Sequence, residues 1–154
     1  MRFKVILVIS LIFTITACTY YEHGPVLSFK SVKTRLSGEW ELTDVIINDK
    51  TDDVILENEN DITYQFVEDG SLIIKSNSNT RSIPDVINGT WELNNDKTCI
   101  ILDIDNINSE ISIPKDEMTI LRLTDDELWI SDECSALRES DYITERRYRK
   151  ISKL

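Results

Sequence analysis

From residue 38 onward, short runs of apolar side chains alternate with polar ones in the two-residue period of half-buried β-strands. Ile62, Tyr64 and Phe66, for example, share one face of such a run, opposite Thr63 and Gln65. No long segment has the 3.6-residue apolar period of an amphipathic helix. The pattern predicts an all-β domain of eight strands, at about 38–47, 61–68, 71–77, 86–94, 98–105, 117–124, 127–133 and 141–151.

The connections between these strands alternate in length. Tight-turn sequences rich in Asp, Asn and Gly occur at 68–71, 94–97 and 124–127, whereas the links at 48–60, 78–85, 106–116 and 134–140 are longer. In an up-and-down meander every second connection lies at the same end. The alternation therefore predicts an eight-stranded antiparallel up-and-down β-barrel with one pinched end and one elaborated end. A two-sheet sandwich is the alternative.

Four segments carry a resemblance to a known family. Gly-Glu-Trp-Glu-Leu at 38–42 recurs as Gly-Thr-Trp-Glu-Leu at 89–93, and Phe-Val-Glu-Asp-Gly-Ser at 66–71 and Ile-Leu-Arg-Leu-Thr-Asp-Asp-Glu-Leu at 120–128 accompany them. This order, from about residue 36 to 151, resembles the lipocalin-like domain of small bacterial lipoproteins. The resemblance implies a calycin-type eight-stranded barrel and no assigned chemistry.

The first Gly-x-Trp predicts how the barrel is closed. Gly38 lets another backbone approach closely, and Trp40 fills the barrel floor as a large apolar plug. The resemblance implies an arginine near the end of the last strand that stacks on this tryptophan. If Tyr142 and Tyr148 mark the inward face, that arginine is Arg146. The candidates together are Arg146, Arg147 and Arg149.

Inward-facing side chains of the barrel are expected to line a cavity for a small ligand, with complete filling of the barrel as the alternative. Because an unpaired buried charge is costly, Asp44 on this face needs a partner, and we expect Arg146 to be that partner; orientation of a polar ligand by the pair is the other reading. The acidic 48–61 connection is expected to be a solvated loop, or a lid over the open end. The predicted cavity set is Leu42, Asp44, Ile46, Ile62, Tyr64, Phe66, Trp91, Leu93, Arg146 and Tyr148.

The N-terminus has the pattern of an export signal. Arg2 and Lys4 precede an apolar run, 5–17, that is too short to span a bilayer. The junction of Ala17 with Cys18 resembles the lipobox of bacterial lipoproteins, which implies cleavage before Cys18 and acylation of its thiol and amino groups; an ordinary secretory signal is the alternative. The predicted division is a signal peptide at 1–17, a lipidated cysteine and tether at 18–35 with a short helical turn near its end, and a barrel domain at 36–154.

The charge of the chain limits its partners. It has 17 basic and 28 acidic residues, and removal of Arg2 and Lys4 with the signal peptide lowers the basic count to 15. This balance argues against nucleic acid as a partner. Membrane attachment then rests on the acyl chains of Cys18. Thr19 stands where an inner-membrane retention aspartate would be, so we expect the outer membrane, at its periplasmic face or its surface.

The sequence offers little for catalysis or metal binding. The only histidine is His23, in the tether, which removes His-dependent nucleophilic catalysis and most transition-metal sites. The acidic run beginning at Asp103 fails as a calcium loop, because Asn108 stands at the required glycine and Pro114 at the closing glutamate. We therefore predict no catalytic residue, metal or cofactor. Cys99 and Cys134 are expected at opposite ends of the barrel, too far apart for a disulfide.

Two functions remain open from the sequence. The first is a lipid-anchored lipocalin-like barrel in the cell envelope that binds a small apolar or amphipathic molecule. The second is an envelope protein-interaction or inhibitor module with a filled barrel and partner-binding loops. The volume of the barrel interior distinguishes them.

Overall fold

The computed structural model of the chain describes residues 29–76, 85–105, 115–133 and 142–152. Within these ranges the chain forms two short helices and a set of antiparallel strands. The elements are α1 (Val32–Leu36), β1 (Gly38–Ile47), β2 (Lys50–Thr51), α2 (Asp53–Glu59), β3 (Ile62–Phe66), β4 (Ser71–Ser76), β5 (Val86–Leu93), β6 (Cys99–Ile104), β7 (Asp116–Leu123), β8 (Glu127–Ser131) and β9 (Thr144–Ser152).

The strands form one closed barrel. From β3 to β9 each strand pairs antiparallel with the next, β3 also pairs with β1, and β9 returns to β1 along a register from Glu39 opposite Ser152 to Ile47 opposite Thr144. The two-residue β2 adds to β1 at one end. The predicted eight-stranded up-and-down barrel is confirmed, and the sandwich is wrong because the sheet is continuous and closes on itself.

The two ends of the barrel differ. We call the end with the short turns after β3, β5 and β7, together with α1, the floor, and the opposite end, where β2 and α2 lie, the mouth. The longer connections at 77–84, 106–114 and 134–141 fall outside the described residues, as do Cys18, His23 and Cys134. Neither helix in the described ranges is long and apolar enough to cross a membrane.

The connection after β1 is more structured than the sequence predicted. Asn48 and Asp49 have positive φ angles of 51° and 62°, as the two central residues of a type I′ hairpin turn require, and they join β1 to β2. Asp52 then caps α2, because its carboxylate accepts a hydrogen bond from the backbone N–H of Ile55 at 3.0 Å. This part of the chain is therefore a tight hairpin followed by a helix.

A bulge in β1 changes which side chains face the interior. The pairing of β1 with β9 shifts between Leu42 and Asp44, so the inward face passes from the even to the odd positions. Val45 is consequently fully buried, while Asp44 and Ile46 neither belong to the core nor line the interior. The prediction that Asp44 and Ile46 face the cavity is wrong for this reason.

Candidate functional site

The barrel floor is closed by Trp40 and by helix α1 beneath it. The indole of Trp40 is fully buried, and its Nε1 donates a hydrogen bond to the carbonyl of Leu36 at 2.7 Å. Leu36, the last residue of α1, is also fully buried. Arg35 secures the helix by donating to the carbonyl of Leu123 at 2.7 Å. Trp40 is therefore a buried plug of the floor, as predicted, and it also holds the N-terminal segment against the barrel.

A lysine, and not one of the three candidate arginines, covers Trp40. The ammonium of Lys150 lies 4.6 Å from the centre of the Trp40 ring system, because the two residues are directly paired across β1 and β9. The even-numbered residues of β9 face the interior, as expected. Of these residues, it is Lys150 that lies beside Trp40 at the floor. Arg146 lies toward the mouth instead, so its predicted contact with Trp40 is wrong.

The second Gly-x-Trp unit closes the floor in the same way. Trp91 is buried, and its Nε1 donates to the carbonyl of Val67 at 2.9 Å, in the short turn after β3. The ammonium of Lys33, from α1, lies 5.8 Å from the Trp91 ring. Although the sequence placed Trp91 in the ligand cavity, it contributes to the floor beside Phe66, whose ring meets it edge-on at 5.6 Å.

The glycines of both units permit close backbone contacts, as predicted for Gly38. A Cβ on Gly38 would lie 2.7 Å from the carbonyl oxygen of Ser152, and the φ of Gly38 is +140°. A Cβ on Gly89 would lie 2.6 Å from the carbonyl oxygen of Asp103. Any other residue would separate β1 from β9, or β5 from β6, at these points.

The interior cavity above the floor is very small. Its volume is about 10 Å³, room for a single water molecule, whereas small-molecule sites occupy about 300–1,000 Å³. The lining is almost entirely apolar and comes from six strands. It consists of Trp40, Tyr64, Phe66, Ile100, Leu102, Met118, Leu128, Ile130 and Tyr148.

Two tyrosines bring hydroxyl groups into this apolar interior. Tyr148 is 5 % exposed, and its ring meets that of Tyr64 edge-on at 5.7 Å between centroids. Burial raises the pKa of both phenols, Glu59 raises both further, and Arg146 opposes the shift. Both phenols therefore lie within electrostatic range of the charged groups at the mouth.

Helix α2 covers the mouth. Its Ile55 and Leu56 are partly buried against the core, and Glu59, one turn later, accepts two hydrogen bonds from Arg146, Nε at 2.9 Å and Nη2 at 3.2 Å. Burial by itself lowers the pKa of Arg146. The hydrogen bonds and the negative charge of Glu59 have the larger effect, so the pKa of Arg146 lies above its ordinary value. Glu59 is thus the partner of Arg146, and the predicted Asp44–Arg146 pair is wrong because the β1 bulge turns Asp44 away.

The structure divides the predicted cavity set. Tyr64, Phe66 and Tyr148 line the cavity together. Leu42 is buried in the surrounding core, and Ile62 and Leu93 pack against that core. Arg146 stands at the mouth, Trp91 joins the floor, and Asp44 and Ile46 lie outside.

The sequence did not lead us to three groups of side chains in the candidate site. The apolar lining from the later strands, such as Leu102 and Leu128, follows the same alternation as the early strands and could have been included. Glu59 was missed because we predicted that the acidic 48–61 segment is a loop. The sequence does contain a helix signal there, an Asp at the N-cap position followed by Ile55, Leu56 and Glu59 at helical spacing. Lys150 was missed because the register of β9 against β1 cannot be read from one chain.

A second, larger groove lies outside the barrel, on β4, β5 and β6. Its volume is about 290 Å³, and its lining is mostly polar. Lys115 borders it, 3.3 Å from Asp103 and 3.9 Å from Glu92. Among the described residues, no group of three histidine, cysteine or acidic side chains is placed to hold a metal ion.

A closed up-and-down barrel with a plugged floor and a covered mouth defines a protein of the lipocalin class, generally a non-enzymatic binding fold. Residues 36–130 match the family model of the lipocalin-like domain, which covers more than half of the chain. The chain belongs to this lipocalin-like family, whose barrel is generally a ligand-binding module. No curated protein sequence matches the chain.

Proposed function

We propose that this protein is a lipid-anchored lipoprotein of the bacterial cell envelope whose barrel binds a small apolar or amphipathic molecule. The observation that carries the proposal is the construction of the mouth: in the part of the chain that the structure describes, one short helix covers an apolar interior. The floor is held by two buried tryptophans and α1, whereas α2 is held by two partly buried side chains and one ion pair. Entry therefore takes place at α2.

The contacts of α2 set the free energy of opening. Fully burying Ile55 and Leu56 would contribute about 1.5–3 kcal/mol each, and partial burial about half of that. The Glu59–Arg146 pair, whose side chains are 32 % and 27 % exposed, adds no more than about 1 kcal/mol. Opening then costs about 1.5–4 kcal/mol, which corresponds to an open population of about 0.1–7 %. The closed form with its 10 Å³ cavity is the resting state in this proposal.

The anchor is Cys18, through its acyl chains. The position of α1 supports an orientation, because the N-terminal segment joins the barrel at the floor. The floor then faces the lipid and the mouth faces away from it. We place the protein in the outer membrane, with the periplasmic face favoured. Protease treatment of intact cells tests this placement, since loss of the domain would put it on the surface.

We assign no catalytic role to this chain, in keeping with the generally non-enzymatic family. A second function is favoured by one observation: a 10 Å³ interior suits an interaction module whose barrel is solid. In that case the mouth-side loops would contact an envelope protein, and α2 would not move.

Native mass spectrometry of the extracted protein tests the anchor and the ligand together. We expect a mature chain that begins at Cys18 and carries acyl groups, and a co-purifying amphipathic molecule on part of the population. Replacement Cys18→Ser should abolish the acyl mass. A chain that keeps its first 17 residues, or that lacks acyl groups, would contradict the anchor.

A pair of variants on α2 tests entry at the mouth. Leu56→Ala removes a contact with the core, and the open population should rise about four- to tenfold, which strengthens binding of a hydrophobic fluorescent probe by the same factor. Val54→Ala is the matched control, because Val54 is 70 % exposed on the same helix. Equal probe binding by both variants, with one envelope protein captured stoichiometrically by the wild type, would favour the interaction module.

A further inference from the structure

Phe29 is a fully exposed aromatic residue at the floor end of the barrel. The backbone that follows it is held in place, because the ammonium of Lys30 pairs with Asp125 at 2.5 Å. Ser31 then caps α1 by accepting a hydrogen bond from the backbone N–H of Thr34 at 3.0 Å. The exposed ring is therefore kept at the floor, next to the turn at 124–127 between β7 and β8.

The same turn also holds the end of β9. The carbonyl of Asp126 accepts a hydrogen bond from the backbone N–H of Lys150 at 2.9 Å. The next residue, Ile151, has a side chain that is 47 % exposed. Exposed apolar residues that are scattered singly are normal on a protein surface, but Phe29 and Ile151 each follow or precede a residue bound to one turn. We call this turn, together with Phe29 and Ile151, the floor edge.

The chain that precedes Phe29 limits how far the floor edge can lie from the proposed anchor. Cys18 stands eleven residues before Phe29 in the sequence. Even a fully extended chain of that length spans no more than about 40 Å. With Cys18 acylated, contact between the floor edge and the bilayer is an intramolecular event at high effective concentration. A modest apolar contact is then sufficient to orient the domain.

These observations point to the bilayer as the partner of this surface. On the basis of the proposed lipid anchor, we infer that the floor edge docks on the bilayer that holds Cys18. The Phe29 ring and the Ile151 side chain enter the boundary between head groups and acyl chains, where apolar groups of membrane-bound segments are buried. The docked floor is a second attachment, and it turns the mouth away from the lipid.

Charge determines that this contact is apolar. The basic side chains of α1 are already engaged: Lys30 pairs with Asp125, and the ammonium of Lys33 lies 5.8 Å from the Trp91 ring. The turns of the floor carry exposed acidic residues, namely Glu68, Asp69, Asp96 and Asp126. Because these carboxylates repel anionic head groups, docking is expected to be strongest on zwitterionic lipid and weaker on anionic lipid at low salt.

Tryptophan placed at position 29 tests the contact directly. The acylated mature protein, residues 18–154, is bound to phosphatidylcholine vesicles whose acyl chains carry bromine, which quenches nearby tryptophan. The wild type, with its three tryptophans, gives the baseline. We expect the bromolipid to remove most of the emission that Phe29→Trp adds. Val54→Trp is the matched control, because Val54 is 70 % exposed at the mouth, and its added emission should persist.

Two changes to this experiment test what drives docking. In the Phe29→Trp protein, Ile151→Ser should lower the ratio of docked to undocked molecules about three- to tenfold, because the half-exposed isoleucine no longer contributes apolar burial. Adding anionic phosphatidylglycerol at low salt should reduce the quenching. Circular dichroism checks that each variant remains folded.

Flotation of the vesicles separates this inference from the proposed anchor. If the protein floats with the vesicles but Phe29→Trp is quenched no more than Val54→Trp, the inference is wrong and the anchor stands. Stronger quenching on anionic lipid, or no effect of Ile151→Ser, would likewise overturn an apolar floor edge. If the protein does not float with the vesicles, the anchor is wrong and the inference fails with it.

Discussion

Lys150 offers the sharpest test of how the barrel floor is held together. Its ammonium donates hydrogen bonds to the carbonyls of Arg35 and Ser37, at 2.6 and 2.7 Å, and lies 4.6 Å from the Trp40 ring centre. One side chain at the end of the last strand therefore joins the end of α1 to the plug of the barrel. Lys150→Met keeps the aliphatic stem and removes these contacts of the ammonium group.

The expected loss follows from these contacts. Each hydrogen bond to a backbone carbonyl contributes about 1 kcal/mol when partly exposed, and the cation–π contact adds about 0.5–1 kcal/mol. Lys150→Met should therefore lower the free energy of unfolding by about 2–3 kcal/mol. At about 4 °C for each kcal/mol in a domain of this size, the melting temperature should fall by about 8–12 °C. Urea unfolding followed by tryptophan fluorescence measures the same difference as a lower midpoint.

Arg149→Met is the matched control for this experiment. Arg149 is the preceding residue of β9, on the outer face, where its 67 % exposed side chain pairs with Glu41. Exposed pairs of this kind contribute at most about 1 kcal/mol. A loss from Lys150→Met that is no larger than that from Arg149→Met, or below about 0.5 kcal/mol, would show that the lysine does not hold the floor closed.

Three other measurements test separate parts of the structure. Gly89→Ala places a methyl group 2.6 Å from a β6 carbonyl oxygen, and urea unfolding should show a loss of about 1–3 kcal/mol; an unchanged midpoint would contradict the close approach of β5 and β6. Burial raises the pKa of Tyr64 and Tyr148 in the folded protein above their value of about 10 in the unfolded chain. Their contribution to the free energy of unfolding is therefore complete below about pH 10, and it is lost as the pH rises through the pKa values of the folded state. Ultraviolet titration should therefore show these two phenols ionising later than exposed tyrosine, and normal ionisation would contradict their burial. Thiol titration of the unfolded mature chain without reductant should find Cys99 and Cys134 both reactive, and the absence of thiols in the monomer would contradict their expected positions at opposite ends.

The barrel itself was predictable because its signals are local. Strand alternation depends only on neighbouring positions, and the predicted strand ranges agree with the structure, including β1 at 38–47 and β6 near 98–105. The alternation of short and long connections then leaves an up-and-down meander as the simplest arrangement. The roles of Gly38, Gly89 and Trp40 also follow from residue type, since only glycine permits the backbone approach and an indole fills the floor.

Much of the candidate site depended on contacts that a single chain does not encode locally. A one-residue bulge in β1 turned Val45 inward in place of Asp44, and no local sequence signal distinguishes that strand from a regular one. The register between the first and last strands, more than a hundred residues apart, selected Lys150 over three arginines as the cover of Trp40. The pairing of Glu59 with Arg146 likewise required α2 to fold across the mouth.

The physical reason for this division is the range of the interactions. Alternation, turn chemistry and glycine requirements act between residues close in sequence, so the order of residues alone determines the strands, the turns and the class of barrel. The register, the bulge and the partner of each buried charge depend on side chains brought together only when the barrel closes. Those contacts, set by packing across the whole domain, decide that Lys150 covers Trp40 at the floor and that Glu59 pairs with Arg146 at the mouth.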